Sequence, residues 1–216
     1  MVDRLRLIER PYRQNEVCVK TAARVSILFC SLLTLPLSAH AEWQAVEKVQ
    51  TYSIQGKTGA ELYASIGERG PGTGLVRAIA HTNFKLTWTR KYEPQGGGCT
   101  IVTNKPKLII TYTLPKPAGK LPPSTAAKWQ TFIAGVQAHE RIHGDHIKDM
   151  VKAIEAMSVG LSVPNDPDCK KIRTELTSRL GVLSQEQRQK SRDFDSVELS
   201  NGGNVHQLIL NLVNGG

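Results

Sequence analysis

The sequence predicts an α+β protein in which an antiparallel β-sheet from the N-terminal half packs on a long helix and on a second helix. Two observations support this class. Stretches of loosely alternating apolar and polar residues recur up to Leu114, as expected of half-buried strands. From Ser124 onward, apolar residues recur at three- and four-residue steps instead, which is the period of an amphipathic helix.

The N-terminal half contains several strand-like segments and one short helical segment, separated by glycine-rich turns. Its predicted elements are a strand over Trp43–Ile54, a short helix over Gly59–Ile66, a strand over Ala78–Tyr92 and a strand pair over Cys99–Val102 and Lys107–Leu114.

The long helix is predicted between a pair of prolines and Met157. The two prolines at 122 and 123 block helical continuation upstream, so Ser124 or Thr125 is the expected N-cap. No proline follows before Met157. A second helical pattern runs from Lys170 to Asp193. In the tail beyond it, residues 205–213 are expected to add a short strand or to remain loose.

The long helix contains the pattern H-E-x-x-H, formed by His139, Glu140 and His143. Residues four apart lie one above the other on a helix, so both imidazoles can converge on one ion. Glu140 lies on the neighbouring side of the same turn, within reach of a water molecule at that ion. This arrangement is typical of a peptidase that uses one Zn²⁺ ion, with Glu140 as the general base. The alternative is a helix whose core face simply carries two histidines.

A catalytic zinc site needs a third protein ligand, and the sequence offers several. Asp195 is preferred, because it lies where the second helical pattern ends and the chain could return to the metal. Asp193, Glu175 and His206 are further candidates. His146 is the alternative on the motif helix itself. It lies too far from His139 along a straight helix, so it would need a break at Gly144.

The first 41 residues have the pattern of a secretory signal peptide. Basic residues precede an apolar run over Val25–Leu37, and Ala39-His40-Ala41 supplies a small-x-small cleavage pattern after Ala41. The run is shorter than the roughly 20 residues that a membrane-spanning helix needs. We expect one domain over residues 42–216, located in the periplasm or outside the cell, with no stable membrane span. An uncleaved anchor is the alternative.

Cysteine usage agrees with export. Cys18 and Cys30 would leave with the signal, so Cys99 and Cys169 remain as an even pair. In an oxidising compartment such a pair predicts a disulfide. The alternative is a thiolate metal ligand.

The net charge of the processed chain excludes few classes of function. Without its first 41 residues the chain has 22 basic and 16 acidic residues, a net charge of +6. Scattered basic residues and few aromatics argue against nucleic-acid binding. The expected partner is a peptide or protein substrate, associated with the cell envelope.

A family resemblance covers nearly the whole processed chain. It is carried by the order of several short patterns: G-x-x-x-x-E-L and R-G-P from Gly56 to Pro71, the strand Thr82–Trp88, Cys99 after glycine, T-L-P at Thr113–Pro115, Trp129, and A-H-E-x-x-H from Ala138 to His143. Together these resemble a bacterial family of secreted zinc-dependent proteases within a domain of unknown function. The resemblance implies a zincin-like fold, with His139 and His143 as zinc ligands and Glu140 as the general base.

Two other classes of function stay open. The chain could bind a metal for structure or storage without catalysis, or it could be an interaction module of the cell envelope. An intact Glu140 argues against a relic of the motif, because a structural metal site has no need of a carboxylate there. An enzyme that cleaves peptidoglycan crosslinks differs from a peptidase only in the amide attacked.

Overall fold

A computed structural model describes residues 43–72 and 77–214. The predicted signal peptide and its cleavage position lie outside the described residues. The helices and strands are, in chain order, β1 (Val46–Ile54), α1 (Gly59–Arg69), β2 (His81–Gln95), β3 (Gly98–Pro117), α2 (Pro123–Ser158), β4 (Ser162–Val163), α3 (Lys171–Leu199) and α4 (Asn204–Val213). A sheet in the N-terminal half and four helices confirm the α+β class.

The strand β3 is the centre of a four-stranded sheet with the order β1-β3-β2, and β4 also pairs with β3. The β2–β3 pairing is antiparallel, as predicted, and β3 also pairs antiparallel with β4, a strand that the sequence analysis did not predict. β1 instead runs parallel to β3, with Val46 opposite Ile109, so the sheet is mixed. A parallel pair needs a crossover connection, which α1 and β2 provide between these two strands.

The predicted strand pair after the glycine run is one continuous strand, β3. Gly96 and Gly97 have φ of +57° and +74° and form a tight turn between β2 and β3, which suits glycine because both residues need a positive φ. Pro106 does not interrupt β3, although proline cannot donate a hydrogen bond to a neighbouring strand. The pairing with β1 begins only at Ile109, so β3 has one free side at this proline.

The helix α2 covers one face of the sheet. Its first half contributes Trp129, Phe132 and Val136 to a core cluster with Ile54 and Leu114. Its second half packs against the middle of β3 in another cluster, formed by Leu108, Ile110, Tyr112, Ile147, Met150, Val151 and Ile154. The helix begins at Pro123 with Pro122 at the N-cap, so neither predicted N-cap residue has that role.

A disulfide joins Cys99 and Cys169, with 5.2 Å between their Cα atoms. It connects the start of β3 to the loop before α3, as the sequence predicts, and it packs in a core cluster with Ile172. In the same loop, both carboxylate oxygens of Asp166 accept hydrogen bonds from backbone N–H groups at the start of α3. The disulfide is consistent with an extracytoplasmic location.

The tail forms the helix α4, so the predicted strand or loose segment is wrong. Leu208, Ile209 and Leu212 contact the core cluster around Trp129. The apolar residues of this segment recur at helical steps, and burial of that face against the rest of the core stabilises a helix too short to be stable alone. Within residues 43–72 and 77–214, no helix is long and apolar enough to cross a bilayer.

Candidate metal centre

The two motif histidines lie on one face of α2 and point at the same place. His139 is buried, and only 13% of the His143 side chain is exposed. Their Nε2 atoms are 3.1 Å apart, with the rings nearly perpendicular. Both ring nitrogens thus face a common point, as the four-residue spacing predicts.

Asp195 on α3 approaches the same point from across the cleft. Its Oδ1 atom is 2.8 Å from His143 Nε2 and 3.1 Å from His139 Nε2. Among the described residues, these three form a group able to hold a metal ion. The preferred third ligand of the sequence prediction is therefore placed beside the two histidines.

The spacing of these three atoms suits a small divalent cation. In a tetrahedral zinc site with bonds of 2.0 to 2.1 Å, neighbouring ligand atoms are about 3.3 Å apart. The observed separations of 2.8 to 3.1 Å are slightly shorter, so a small outward rotation of the side chains accommodates the ion. Two imidazoles and one carboxylate are also a donor set that zinc uses in proteins.

Charge at the site favours a cation. Burial raises the pKa of the Asp195 carboxyl, but its hydrogen bonds with His139 and His143 outweigh burial and lower that pKa below the usual value. For His139, burial lowers the pKa, and the nearby Asp195 and Glu140 carboxylates raise it by more. The site is thus held together by a carboxylate that stays negatively charged at neutral pH.

Glu198 lies behind His139, one turn beyond Asp195 on α3. Its Oε2 atom is 3.6 Å from His139 Nδ1, which is longer than a hydrogen bond, and Nδ1 is buried without a hydrogen-bond partner. Phe194 stacks on the same imidazole, with ring centroids 4.7 Å apart. When Nε2 of His139 binds a metal, the ring proton is on Nδ1, and the Glu198 carboxylate is placed to accept a hydrogen bond from this N–H group.

Glu140 is buried beside the metal ligands. Its Oε2 atom accepts a hydrogen bond of 2.5 Å from the Thr82 hydroxyl at the start of β2. Glu140 as a whole is 6% exposed, yet it lines the same cleft as the ligands. Thr82 thereby fixes a carboxylate that does not belong to the metal-binding group.

Gly144 follows the second motif histidine, and α2 continues through it without a break. The hypothesis of a break at this glycine, which would bring in His146, is therefore wrong. A Cβ atom at position 144 would lie 2.2 Å from the Tyr112 hydroxyl oxygen. The glycine allows α2 to lie close to the central strand, which brings the motif residues onto the sheet.

The other candidate ligands lie outside the group. His146 Nδ1 is 3.2 Å from the Ser191 hydroxyl, and burial lowers the pKa of its imidazole, with Lys190 adding to the effect. Asp193 accepts a hydrogen bond from Gln189, Glu175 pairs with Arg179, and His206 accepts a hydrogen bond from Gly202.

A cleft of about 600 Å³ contains the site. One part of its lining is the segment from Arg77 to Phe84, which leads into β2, and another part includes Val205 and Ile209 of α4. The sequence analysis did not identify Thr82 and Glu198 as site residues, and it did not place α4 at the cleft. The three-residue step from Asp195 to Glu198 was a usable signal, since it places both carboxylates on one face of α3.

Fold and site together define an α+β protein with a candidate His-His-Asp metal centre in an open cleft. A family profile described as "bacterial protein of unknown function (DUF922)" matches residues 49–203. The chain belongs to this family. No curated protein and no solved structure matches the chain.

Proposed function

We propose that this protein is a zinc-dependent metallopeptidase that hydrolyses peptide bonds outside the cytoplasm. One observation carries the proposal: the Glu140 carboxylate and three potential ligand atoms from His139, His143 and Asp195 line one cleft. A structural zinc site closes with four protein ligands, whereas a catalytic site keeps one position open. Three ligands beside an open cleft favour the catalytic type.

The donor set suits zinc better than it suits magnesium or calcium. Magnesium and calcium prefer sites made wholly of oxygen atoms, and two of the three atoms here are imidazole nitrogens. The disulfide supports a location where thiols become oxidised, which agrees with the predicted signal peptide.

A zinc ion in this site would supply a Lewis acid that polarises a peptide carbonyl and acidifies water. Glu140 acts as the general base: its carboxylate takes a proton from the attacking water and returns a proton to the departing amine. Thr82 holds one carboxylate oxygen of Glu140 by the 2.5 Å hydrogen bond. This contact fixes the position of the carboxylate, which lies outside the group of ligand atoms.

The shape of the cleft supports a peptide as substrate. β2 is an edge strand of the sheet, and its first residues line the cleft. An extended peptide can pair with a free strand edge through backbone hydrogen bonds. Apolar residues of α2 and α4, among them Val136, Val205 and Ile209, favour an apolar side chain next to the scissile bond.

The variant Glu140→Gln tests the assignment of the general base. We expect it to bind zinc as the wild type does and to lose hydrolysis of a peptide library almost completely, because an amide cannot accept the proton. Glu68→Gln, which changes an exposed carboxylate on α1, is the matched control and is expected to keep full activity. Substantial hydrolysis by Glu140→Gln would contradict the proposal.

The alternative is a metal-binding protein without catalytic activity. It predicts stoichiometric zinc in the wild type together with no hydrolysis of any peptide or peptidoglycan crosslink. The buried carboxylate of Glu140 beside the site favours the peptidase, because a storage or structural site gains nothing from a general base.

A further inference from the structure

The sheet has an open face on the side away from α2. Along β3, the residues that point outward alternate with those that pack on α2, and the pairing registers identify their neighbours on β1 and β2. Every outward position of β1 and β2 along this stretch is exposed. The outward residues are Val46, Lys48 and Gln50 on β1, His81, Asn83, Lys85, Thr87 and Thr89 on β2, and Lys105, Lys107, Ile109, Thr111 and Thr113 on β3.

Four lysines lie on this open face and no acidic residue does. Lys48, Lys85, Lys105 and Lys107 are all exposed, and no ion pair forms at any of them within the described parts of the chain. Glu93, near the end of β2, forms an ion pair with Lys91. The four ammonium groups therefore stay available to an external anion.

The lysines spread over all three long strands rather than along one line. Residues two apart on a strand are separated by about 6.8 Å, and neighbouring strands by about 4.8 Å. Lys105 and Lys107 are two residues apart on the central strand, while Lys48 and Lys85 lie on opposite sides of it. The positive charge thus covers an area with two dimensions of about 10 Å or more.

We propose that this open face docks on the surface of an anionic lipid bilayer. A planar array of lysines complements a plane of phosphate headgroups, and it does not select a single linear chain. The outward residues named above include no Phe, Tyr or Trp, so the face lacks the large aromatic rings on which nucleic-acid bases commonly stack. Val46, half exposed, and Ile109 lie side by side among the lysines, so they present apolar contacts at the headgroup level.

Docking in this way sets the position of the metal centre relative to the bilayer. His81 and Asn83 belong to the open face and also line the cleft, so the mouth of the cleft lies at the edge of the docked surface. The inference stands independently of the peptidase proposal, because it rests on the sheet and its lysines alone.

Sedimentation with lipid vesicles tests the inference. The mature chain is mixed with vesicles of phosphatidylcholine alone or with added phosphatidylglycerol, at low and high salt. Each lysine near an anionic surface contributes about fivefold to binding. Replacement of all four face lysines by glutamine is therefore expected to lower the partition coefficient on anionic vesicles by about 100-fold or more.

A control variant with the same loss of charge separates this face from net charge. It replaces Lys120, Lys170, Lys171 and Lys190 by glutamine, all exposed and away from the outward positions of the sheet. We expect its partition coefficient to change by less than about fivefold. If the control loses as much binding as the face variant, or the wild type does not bind anionic vesicles at all, the inference is overturned.

Two further measurements exclude misfolding and a different anionic partner as explanations of the result. Circular dichroism and thermal unfolding establish that both variants fold, and the single variants Lys85→Gln and Lys107→Gln, expected to lose about fivefold each, serve if the fourfold variant does not fold. Soluble polyphosphate is offered as a competing partner. Tight binding to polyphosphate without binding to anionic vesicles would assign the face to a linear polymer and overturn the bilayer proposal.

Discussion

Gly144→Ala is a sharp test of how α2 packs on the sheet. The new Cβ atom would lie 2.2 Å from the Tyr112 hydroxyl oxygen, against the 3.4 Å at which ordinary contacts begin. Tyr112 is 1% exposed and belongs to the central strand, so it has little room to move. Overpacking of this kind costs about 1 to 3 kcal/mol, whereas alanine gains about 1 kcal/mol over glycine inside a helix.

We expect a net loss of about 1 to 2 kcal/mol in the free energy of unfolding, since the fully buried ring places the overpacking cost in the upper part of its range. For a chain of this size the loss lowers Tm by about 2 to 8 °C. Urea and thermal unfolding of the metal-free protein, followed by circular dichroism, measure both quantities. In a Tyr112→Phe background, which lacks the hydroxyl, the cost of Gly144→Ala is expected to fall by about 1 kcal/mol.

Gly181→Ala is the matched control. This glycine lies within α3, and nothing approaches within 4 Å of an added Cβ atom. Alanine there is expected to stabilise the protein by about 0.5 to 1 kcal/mol. If Gly144→Ala stabilises the protein as Gly181→Ala does, the packing argument for Gly144 is refuted.

Three further predictions address the disulfide and the surroundings of the site. Replacing both Cys99 and Cys169 by alanine is expected to lower the free energy of unfolding by about 4 kcal/mol, because a 70-residue separation is no longer crosslinked; a loss below about 1 kcal/mol in urea unfolding contradicts this. Glu198→Ala is expected to weaken zinc binding about 10- to 100-fold by freeing the first motif histidine, as measured by competition with a chromophoric chelator, and an unchanged affinity would exclude this positioning role. Thr82→Val should lower kcat at least about tenfold by removing a charged hydrogen bond to Glu140 while zinc stoichiometry stays at the wild-type level; loss of zinc instead would mean that Thr82 supports the ligands.

The local part of the site was predictable from the sequence. The positions of His139, Glu140 and His143 on one helix follow from the helical repeat alone. The pairing of Cys99 with Cys169 was predicted because these are the two cysteines that follow the predicted signal peptide. Such inferences need only residue spacing or compartment, and no knowledge of how distant segments pack.

The parts that depend on tertiary packing were not predictable. Thr82 reaches Glu140 only because β2 lies beside α2, and no sequence pattern gives that neighbour. β1 is parallel to its neighbour because it joins β3 rather than the antiparallel β2, and no sequence pattern decides between these two neighbours. The apolar residues of α4 have a helical period, but a helix of this length is not stable alone. It forms because it packs on the core cluster around Trp129, and the sequence does not show that contact.

β3 illustrates a different limit. Pro106 sits in the middle of a segment that otherwise reads as strand, and proline usually indicates a strand end or an edge. Here β3 has a second neighbour at its start, where β4 pairs with Cys99 and Thr100, and again from Ile109 onward, where β1 pairs; Pro106 lies between these two stretches. Whether a strand has one neighbour or two at a given residue is a property of the sheet, which the sequence does not state.

The most direct measurement is the zinc content of the purified chain over residues 42–216, determined by inductively coupled plasma mass spectrometry. The variants His139→Ala and Asp195→Ala are measured in parallel. The account predicts one zinc ion per wild-type chain, essentially none in His139→Ala and a large loss in Asp195→Ala after dialysis against a weak chelator. Undiminished zinc in both variants, or none in a folded wild type that has been supplied with zinc, would contradict a metal centre formed by His139, His143 and Asp195.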